Sequence, residues 1–409
     1  MRKIAELHDE ALDRIKNVHI GSFKGIDMPL FLISEQYIGL WLEHVYDSLM
    51  LAKLEPEYLF AAENAIHLFI DRQKENGHLP FAVWDLNRVK IPDFTMADTA
   101  RYWQIQEGVS FFSLALEVYE LNQDMSFLEK VYASGVKWDR WLRTFRMTTQ
   151  RGLIEMFVGY DTGHDNSGRL EGLSCRGNYS VDGVPQSAEV LPPNDEIAPI
   201  LAVDMNCSFY ADEKALARMA ELLGKTEEAT RWNESATMIK QKLFEHCFDE
   251  DDAFFYDVDK NGNKRKYKSS AILHLFLEKV LDPETDRALI DRIYREHLKN
   301  PDEFWTPFPF PSMAMNDPSV EGHETFNCWG YYTQALIVLR CSRWMDDYGY
   351  GDDYDYILGK WLETWTANYD SLPFGQEIDP ITGLPTASSK FYSSSMLTYI
   401  YAARRLGWV

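Results

Sequence analysis

Positive charge is scarce in this chain. It carries 41 lysines and arginines against 64 aspartates and glutamates, which gives a formal net charge of −23. A nucleic-acid-binding face needs basic residues to neutralise phosphates, and an anionic membrane surface attracts basic segments for the same reason. The charge balance therefore argues against nucleic acid and against a membrane surface as partners.

Cysteine is scarce as well, and the spacing of the few cysteines matches no metal motif. The five are Cys175, Cys207, Cys247, Cys328 and Cys341. None of them forms a Cys-x-x-Cys pair, and an odd number cannot all pair within one chain. The ten histidines include no His-Glu-x-x-His arrangement, and no strand-linked glycine motif indicates a nucleotide. We therefore expect no metal and no cofactor.

Long apolar runs and flexible linkers are also missing. No segment approaches the roughly 18 consecutive apolar residues that indicate a membrane-spanning helix. The first ten residues are charged and lack the apolar stretch of a signal peptide, so we expect a cytoplasmic location. Without a Gly/Ser-rich or Pro-rich linker, a single domain over residues 1–409 is the simplest organisation. The sequence gives no indication of the oligomeric state.

Apolar residues recur mostly with helical spacing, and strand-like segments are few and short. The predicted helices cover residues 4–16, 35–52, 56–75, 104–122, 125–147, 207–224, 226–247, 267–281, 284–297, 324–346, 352–369 and 390–406. Twelve helices in six antiparallel pairs predict an all-α fold, the (α/α)6 barrel. A solenoid of helical repeats is the alternative, but no fixed sequence period supports it.

The long irregular stretches between these helices are too long for simple connectors and are predicted to carry the function. Two of them hold a carboxylate among glycines and aromatic residues: Asp165 within residues 159–170, and Glu377 within residues 373–385. Cleavage of a glycosidic bond needs one protonated carboxyl and one ionised carboxylate, roughly 6.5–9.5 Å apart in inverting enzymes. Asp161 is a rival candidate for the acid, and we favour Asp165.

Two segments resemble glycoside hydrolase signatures. Residues 163–169 (Gly-His-Asp-Asn-Ser-Gly-Arg) are similar to the Gly-x-Asp-x-Ser-x-Arg signature of trehalases and of glycoside hydrolase family 63, including bacterial mannosylglycerate and glucosylglycerate hydrolases. Residues 377–385 are similar to their Glu-x-x-x-Pro-x-Thr-Gly-x-Pro segment. The resemblance implies an (α/α)6 barrel and an inverting α-glycosidase, with Asp165 as general acid and Glu377 as general base. The implied partner is a small carbohydrate.

Weaker similarities lie in family order over nearly the whole chain. Gln106 stands where those families carry a glutamine, Asp204-Met205-Asn206 resembles their Asp-Leu-Asn, and residues 76–80 resemble their Asn-Gly-x-Ile-Pro turn. Glu43 falls where they have the Asp of a Trp-x-Trp-Asp sugar-binding motif. The segment 326–331 lacks the Arg of their Tyr-Trp-Arg-Gly-Pro. These departures favour a substrate other than trehalose or a glycerate glycoside, and the missing Arg in an acidic chain favours a neutral sugar.

The remaining candidates for substrate binding are aromatic and charged residues of the long loops. Arg169 has two open interpretations. It either contacts a sugar hydroxyl or a carboxylate of the site, or it forms an ordinary salt bridge elsewhere. The aromatic surroundings of Asp165, including Tyr160, are expected to raise the pKa of that acid. The predicted substrate-binding residues are Glu43, Trp84, Asp85, Gln106, Tyr160, Arg169, Asp204, Asn206, Trp305 and Trp329.

Two other classes of function fit the same toroid. A sugar epimerase or lyase usually relies on His or Tyr as proton carriers, and His164 and Tyr160 would then matter more than Glu377. A non-catalytic carbohydrate-binding protein would keep the cleft and lose the chemistry. The presence of both carboxylates weighs against the last possibility.

Overall fold

The computed structural model describes residues 2–87, 99–174, 186–320, 329–386 and 389–409. Cys175, Cys328 and the segment 326–328 discussed above lie outside these ranges. Within them, the α-helices are α1 (Arg2–Arg14), α2 (Val45–Leu54), α3 (Leu59–Ile70), α4 (Phe111–Asn122), α5 (Met125–Phe145), α6 (Val203–Leu222), α7 (Thr226–His246), α8 (His274–Leu277), α9 (Arg287–Ile293), α10 (Ala335–Arg340), α11 (Gly351–Asn368) and α12 (Ser393–Arg405).

The helices form two concentric rings. The inner helices α2, α4 and α6 pack in sequence, α6 continues to α8, and α10 packs on α12, which closes the ring against α2. The ring of Phe276 in α8 lies 5.0 Å from that of Trp344, just beyond α10. The outer helices pack against this ring, as α3 does on α2 and α4, and α11 and α1 on α12. The architecture is the predicted (α/α)6 barrel.

Local sequence explains where several helices begin and end. Asp124 accepts a hydrogen bond from Ser126 N at 2.8 Å and so caps the start of α5. Gly224, with φ +74°, allows the tight turn between α6 and α7. The start of α4 is capped by a neighbouring helix of the inner ring, because Asp212 of α6 accepts hydrogen bonds from the backbone N–H groups of Phe112 and Ser113.

Several of the predicted helices are shorter than expected, mainly because chain segments that read as helical pair with distant segments instead. The predicted helix 267–281, for example, is helical only over residues 270–277. Residues 35–41, 104–110 and 329–334 are not helical. The described strands are β1 (Ile20–Gly21), β2 (Leu30–Phe31), β3 (Gly39–Trp41), β4 (Ala82–Trp84), β5 (Ala100–Arg101), β6 (Phe248–Asp249), β7 (Phe254–Phe255), β8 (Thr333–Gln334) and β9 (Glu377–Ile378).

Two of the small sheets lie where long loops meet the inner helices. The first has the order β3-β4-β5, and the second pairs β8 with β9 in antiparallel fashion. Each strand has only two or three residues, so these sheets serve as clamps on loops and not as a layer of the fold. One contiguous hydrophobic cluster runs beneath them, from Leu7 in α1 to Ala403 in α12.

None of the described helices combines the length and the apolar character that crossing a bilayer requires.

Candidate active site

A cavity of about 460 Å³ opens beside the two clamping sheets. It is lined by both predicted catalytic carboxylates, Asp165 and Glu377, although they are far apart in the sequence. Five of the ten predicted substrate-binding residues also line it: Glu43, Trp84, Gln106, Tyr160 and Trp329.

Glu377 is held by its strand. In the β8–β9 pair Gln334 lies opposite Glu377, and Gln334 Nε2 donates to Glu377 Oε2 at 2.8 Å. The hydroxyl of Thr386 donates to the other carboxylate oxygen at 2.9 Å. Burial raises the pKa of Glu377 to about 7, against the lowering effect of these two donors. A carboxylate with this pKa is able to accept a proton near neutral pH.

The loop that carries Asp165 is anchored by Asp161. That carboxylate is completely buried, forms an ion pair with Arg146 at 2.6 Å, and accepts from the backbone N–H groups of Phe157 and Ile105. With its oxygens occupied in this way, Asp161 lies outside the cavity and holds the loop in place. Asp165, four residues on, is half-buried and faces the cavity.

Glu43 is a third carboxyl group in the cavity wall. It follows β3, and Gln106 Nε2 donates to its Oε1 at 3.3 Å. Its Oε2 lies 3.6 Å from Nη2 of the buried Arg340. Burial raises the pKa of Glu43 to about 8; Arg340 opposes this shift, and the negative charge of Asp165 adds to it.

Arg169 and Asp204 form a buried ion pair behind the cavity wall instead of lining it. The guanidinium of Arg169 donates to both oxygens of Asp204 and also to Asp257, at 3.1 Å to Oδ2. This is the ordinary salt bridge that the sequence left open. His164 joins the network, with Nδ1 3.6 Å from Asp204 Oδ2, and its ring stacks on Trp329 at 4.0 Å.

The same network contains a cluster formed by His164, Asp204 and His274. Among the described residues, it is the one cluster whose potential ligand atoms lie close enough together to hold a metal ion. All three residues are buried. However, Nη2 of Arg169 donates to Asp204 Oδ2 and lies 3.3 Å from His164 Nδ1. A guanidinium in that position repels a second cation, so the cluster is better suited to an ion-pair network.

Three other predicted contacts lie outside the cavity. Asn206 lies at the start of α6, and its side-chain amide accepts a hydrogen bond from the backbone N–H of Ile154 and donates one to the carbonyl of the same residue. Asp85 follows β4 and accepts from the backbone N–H of Asn87. Trp305 packs between Lys299, 3.5 Å from its ring centre, and Tyr356. These positions give the three side chains structural contacts in place of the expected sugar contacts.

The cavity also contains residues that the sequence analysis missed. Some lie in segments that read as helices, and the others lie in the long loops at positions that no local motif marks. Tyr37 is an example, since its hydroxyl donates to Gln376 at 3.1 Å. The missed lining residues are Tyr37, Trp41, His44, Phe81, Gln104, Gln376 and Ser389. Gly163 belongs to the signature segment, and Trp103 to a long loop that was predicted to carry the function. An aromatic-rich composition was the only sequence signal for several of them.

Residues 43–394 match the family model described as the mannosylglycerate hydrolase MGH1-like glycoside hydrolase domain. The chain belongs to this family. The MGH1-like match confirms the resemblance predicted from the two catalytic-loop segments. It covers Glu43, Asp165 and Glu377 alike.

Solved structures share the MGH1-like fold over nearly the whole chain. The GH63 mannosylglycerate hydrolase of Thermus thermophilus, in complex with glucose, superposes with a TM-score of 0.72 at 17% identity. The superposition covers 97% of this chain and 99% of that one. Neutral trehalase Nth1 of Saccharomyces cerevisiae gives 0.67 at 13% identity, over 93% of this chain and 74% of that one.

Curated relatives match over shorter stretches. An uncharacterized protein of Borreliella burgdorferi is 27% identical over 167 residues, which is 41% of this chain and 33% of that protein. A probable trehalase of Eremothecium gossypii is 22% identical over 221 residues, 51% of this chain and 26% of that protein. The alignments thus span a third or less of the length of these relatives.

Proposed function

We propose that this MGH1-like domain hydrolyses an α-glycosidic bond with inversion of configuration. The observation that carries the proposal is the pair of carboxyl groups that line one cavity, Asp165 half-buried and Glu377 buried between two hydrogen-bond donors. Inverting glycosidases require such a pair, because one group protonates the leaving oxygen while the other activates water.

In the proposed reaction Asp165 gives its proton to the glycosidic oxygen as the bond to the anomeric carbon breaks. Glu377 takes a proton from a water molecule that attacks that carbon from the opposite face. Gln334 and Thr386 keep the base oriented. No cofactor takes part in these steps.

The chemistry of the wall favours a small neutral sugar. Among the described residues that line the cavity there is no lysine or arginine. Burial, assisted by Arg340, lowers the pKa of His44 to about 3, so this histidine is neutral. Trp41, Trp84 and Trp329 offer apolar faces for sugar rings. An anionic aglycone such as glycerate, which is present in one of the Thermus thermophilus complexes, finds no cationic partner among these lining residues.

The test is a kinetic comparison of the wild-type protein with Asp165→Asn and Glu377→Gln on α-glucosides, α-mannosides and α-galactosides. Each variant should fold and lose roughly a thousandfold or more in kcat. Asp161→Asn, a change in the same loop outside the cavity, is the matched comparison and should act mainly on stability. Full turnover in Asp165→Asn or Glu377→Gln would remove that residue from the mechanism.

The domain organisation and the location are proposed from the sequence. We propose one catalytic domain over residues 1–409, which the continuous core supports, and a cytoplasmic location. Of the two proton carriers that epimerase or lyase chemistry would use, Tyr160 lines the cavity, whereas His164 is buried behind Trp329 and does not line it. The missing histidine weighs against that chemistry. A non-catalytic sugar-binding protein would bind the same glycosides without turnover.

A further inference from the structure

Glu43 is close to the proposed acid. Both Glu43 and Asp165 line the cavity, and a Cβ atom built on Gly163, two residues before Asp165, would lie only 3.2 Å from Glu43 Oε2. Two carboxyl groups that line one partly dehydrated cavity resist carrying two negative charges at once. Carboxyl groups that interact strongly release their protons as a pair, in two steps that belong to neither residue alone.

Arg340 lies on the other side of Glu43. It ends the inner helix α10, is only 6% exposed, and approaches Glu43 Oε2 at 3.6 Å. Glu43 lines the cavity and Arg340 does not. Glu43 is therefore in contact with a buried cation and shares the cavity with Asp165.

The other titratable groups around Glu43 are His44, Asp47 and Tyr392. Burial lowers the pKa of His44 and raises that of Tyr392, so both are uncharged near neutral pH. Asp47, whose pKa burial raises to about 6, accepts hydrogen bonds from Ser393 and Ser394. Among the described side chains around Glu43, Arg340 is thus the one that carries a positive charge.

We infer that Glu43 and Asp165 hold one proton between them in the resting site, and that Arg340 sets the pH at which the pair releases it. This inference rests on the proposed role of Asp165 as the general acid. Asp165 is the group that touches substrate, whereas Arg340 acts through Glu43 as a positioning residue. Loss of the shared proton ends catalysis on the alkaline side.

The inference predicts opposite effects for two substitutions. Glu43→Gln removes the neighbouring negative charge, so Asp165 loses its proton more easily and the alkaline limb of kcat/KM moves to lower pH. Arg340→Met removes the charge that favours the doubly ionised pair, so the limb moves to higher pH. Each displacement should be about one pH unit or more. A purely structural role for either residue would lower activity without moving the limb.

Three further variants make the result specific. Arg340→Lys keeps the charge and should keep the wild-type limb. Arg340→Met in the Glu43→Gln background should add little, because its action passes through Glu43. Arg343→Met removes a nearby buried cation that pairs with Glu117 outside the cavity, and should leave the limb in place.

The measurement is kcat/KM from about pH 5 to about 10 on the best neutral glycoside, with circular dichroism to establish folding. If Glu43→Gln does not fold because Arg340 has lost its partner, the double variant takes its place, and its limb should lie below that of the wild type. Limbs that coincide in all folded variants overturn the inference and leave the proposed function intact. Turnover by Asp165→Asn overturns the proposed function itself.

Discussion

The environment of Glu377 shows how individual contacts set the behaviour of the proposed catalytic base. Burial raises its pKa to about 7, while the donors Thr386 and Gln334 lower it. We predict that Thr386→Val, which removes one donor, raises the pKa further. The base must be ionised to act, so the acid limb of kcat/KM should move to higher pH, by up to about one unit.

The control for this substitution lies in the same loop. The hydroxyl of Thr382 accepts from Leu384 N and does not touch Glu377. Thr382→Val should therefore leave the acid limb unchanged. An unchanged limb in Thr386→Val as well would mean that Glu377 is not the group that titrates there.

At the residue scale, loop signatures are local, and the two carboxyl groups that they mark do line one cavity. The roles of Asp161 and Arg169 were not predictable in this way. Both are charged residues in the same loop as Asp165, and only the fold supplies their partners, Arg146 for one and Asp204 with Asp257 for the other. A sequence without an alignment does not distinguish a buried charge from one that faces a cavity.

The β9 loop depends on a close contact at Gly383. Gly383 has φ +68°, and a Cβ atom there would lie 2.2 Å from the ring of Phe308. Phe308 is itself bonded to the loop through Pro380 O at 2.9 Å and has little freedom to retreat. We predict that Gly383→Ala displaces the loop, lowers the melting temperature and reduces kcat/KM by about tenfold or more.

Gly407→Ala is the control that separates the steric clash with Phe308 from the strain of a left-handed backbone. Gly407 has a similar φ of +71°, and nothing lies within 4 Å of a Cβ built there. Gly407→Ala should cost only the strain of a left-handed alanine, about 1–2 kcal/mol, and leave activity unchanged. Equal losses of activity in both variants would show that the contact with Phe308 does not position Glu377.

At the element scale, the order and approximate position of the helices followed from periodicity. The largest errors fall on residues 35–41, 104–110, 267–269 and 329–334, which bond to distant segments, and on residues 278–281 beyond α8. Their apolar residues fit a helix, yet Gly39–Trp41 pairs with Ala82–Trp84, and Thr333–Gln334 pairs with Glu377–Ile378. Such pairings depend on distant segments, which a local pattern does not contain.

The barrel as a whole buries many carboxyl groups, with consequences for stability. Burial raises the pKa values of Glu43, Glu107 and Glu213 to about 8 each. An unfolded glutamate releases its proton near about pH 4.3. The folded chain therefore binds more protons than the unfolded chain at intermediate pH, and the stability gained this way is lost as pH rises towards about 8.

We predict that the melting temperature falls between about pH 6.5 and about 8. Buried neutral histidines such as His44 have the opposite effect only below about pH 6.5, so they do not mask it. Each carboxyl that stays protonated contributes at most about 2 kcal/mol across this window. Thermal melts at fixed scan rate would measure the decline.

Glu107→Gln isolates one of these groups. The residue is completely buried and accepts from Trp138 Nε1 at 3.3 Å. The neutral amide cannot ionise, so the decline in melting temperature should be shallower than in the wild type. Glu363→Gln on the exposed surface should reproduce the wild-type slope. A wild-type slope in Glu107→Gln would show that Glu107 ionises equally in the folded and unfolded chain.

The most direct test of the account is the anomeric configuration of the first product, followed by NMR on the neutral α-glycoside that turns over fastest. Hydrolysis by Asp165 and Glu377 as acid and base predicts that the β-anomer appears first and that Asp165→Asn releases none. Early release of the α-anomer would contradict the account, because it would mean retention and make Glu377 something other than the base that activates water.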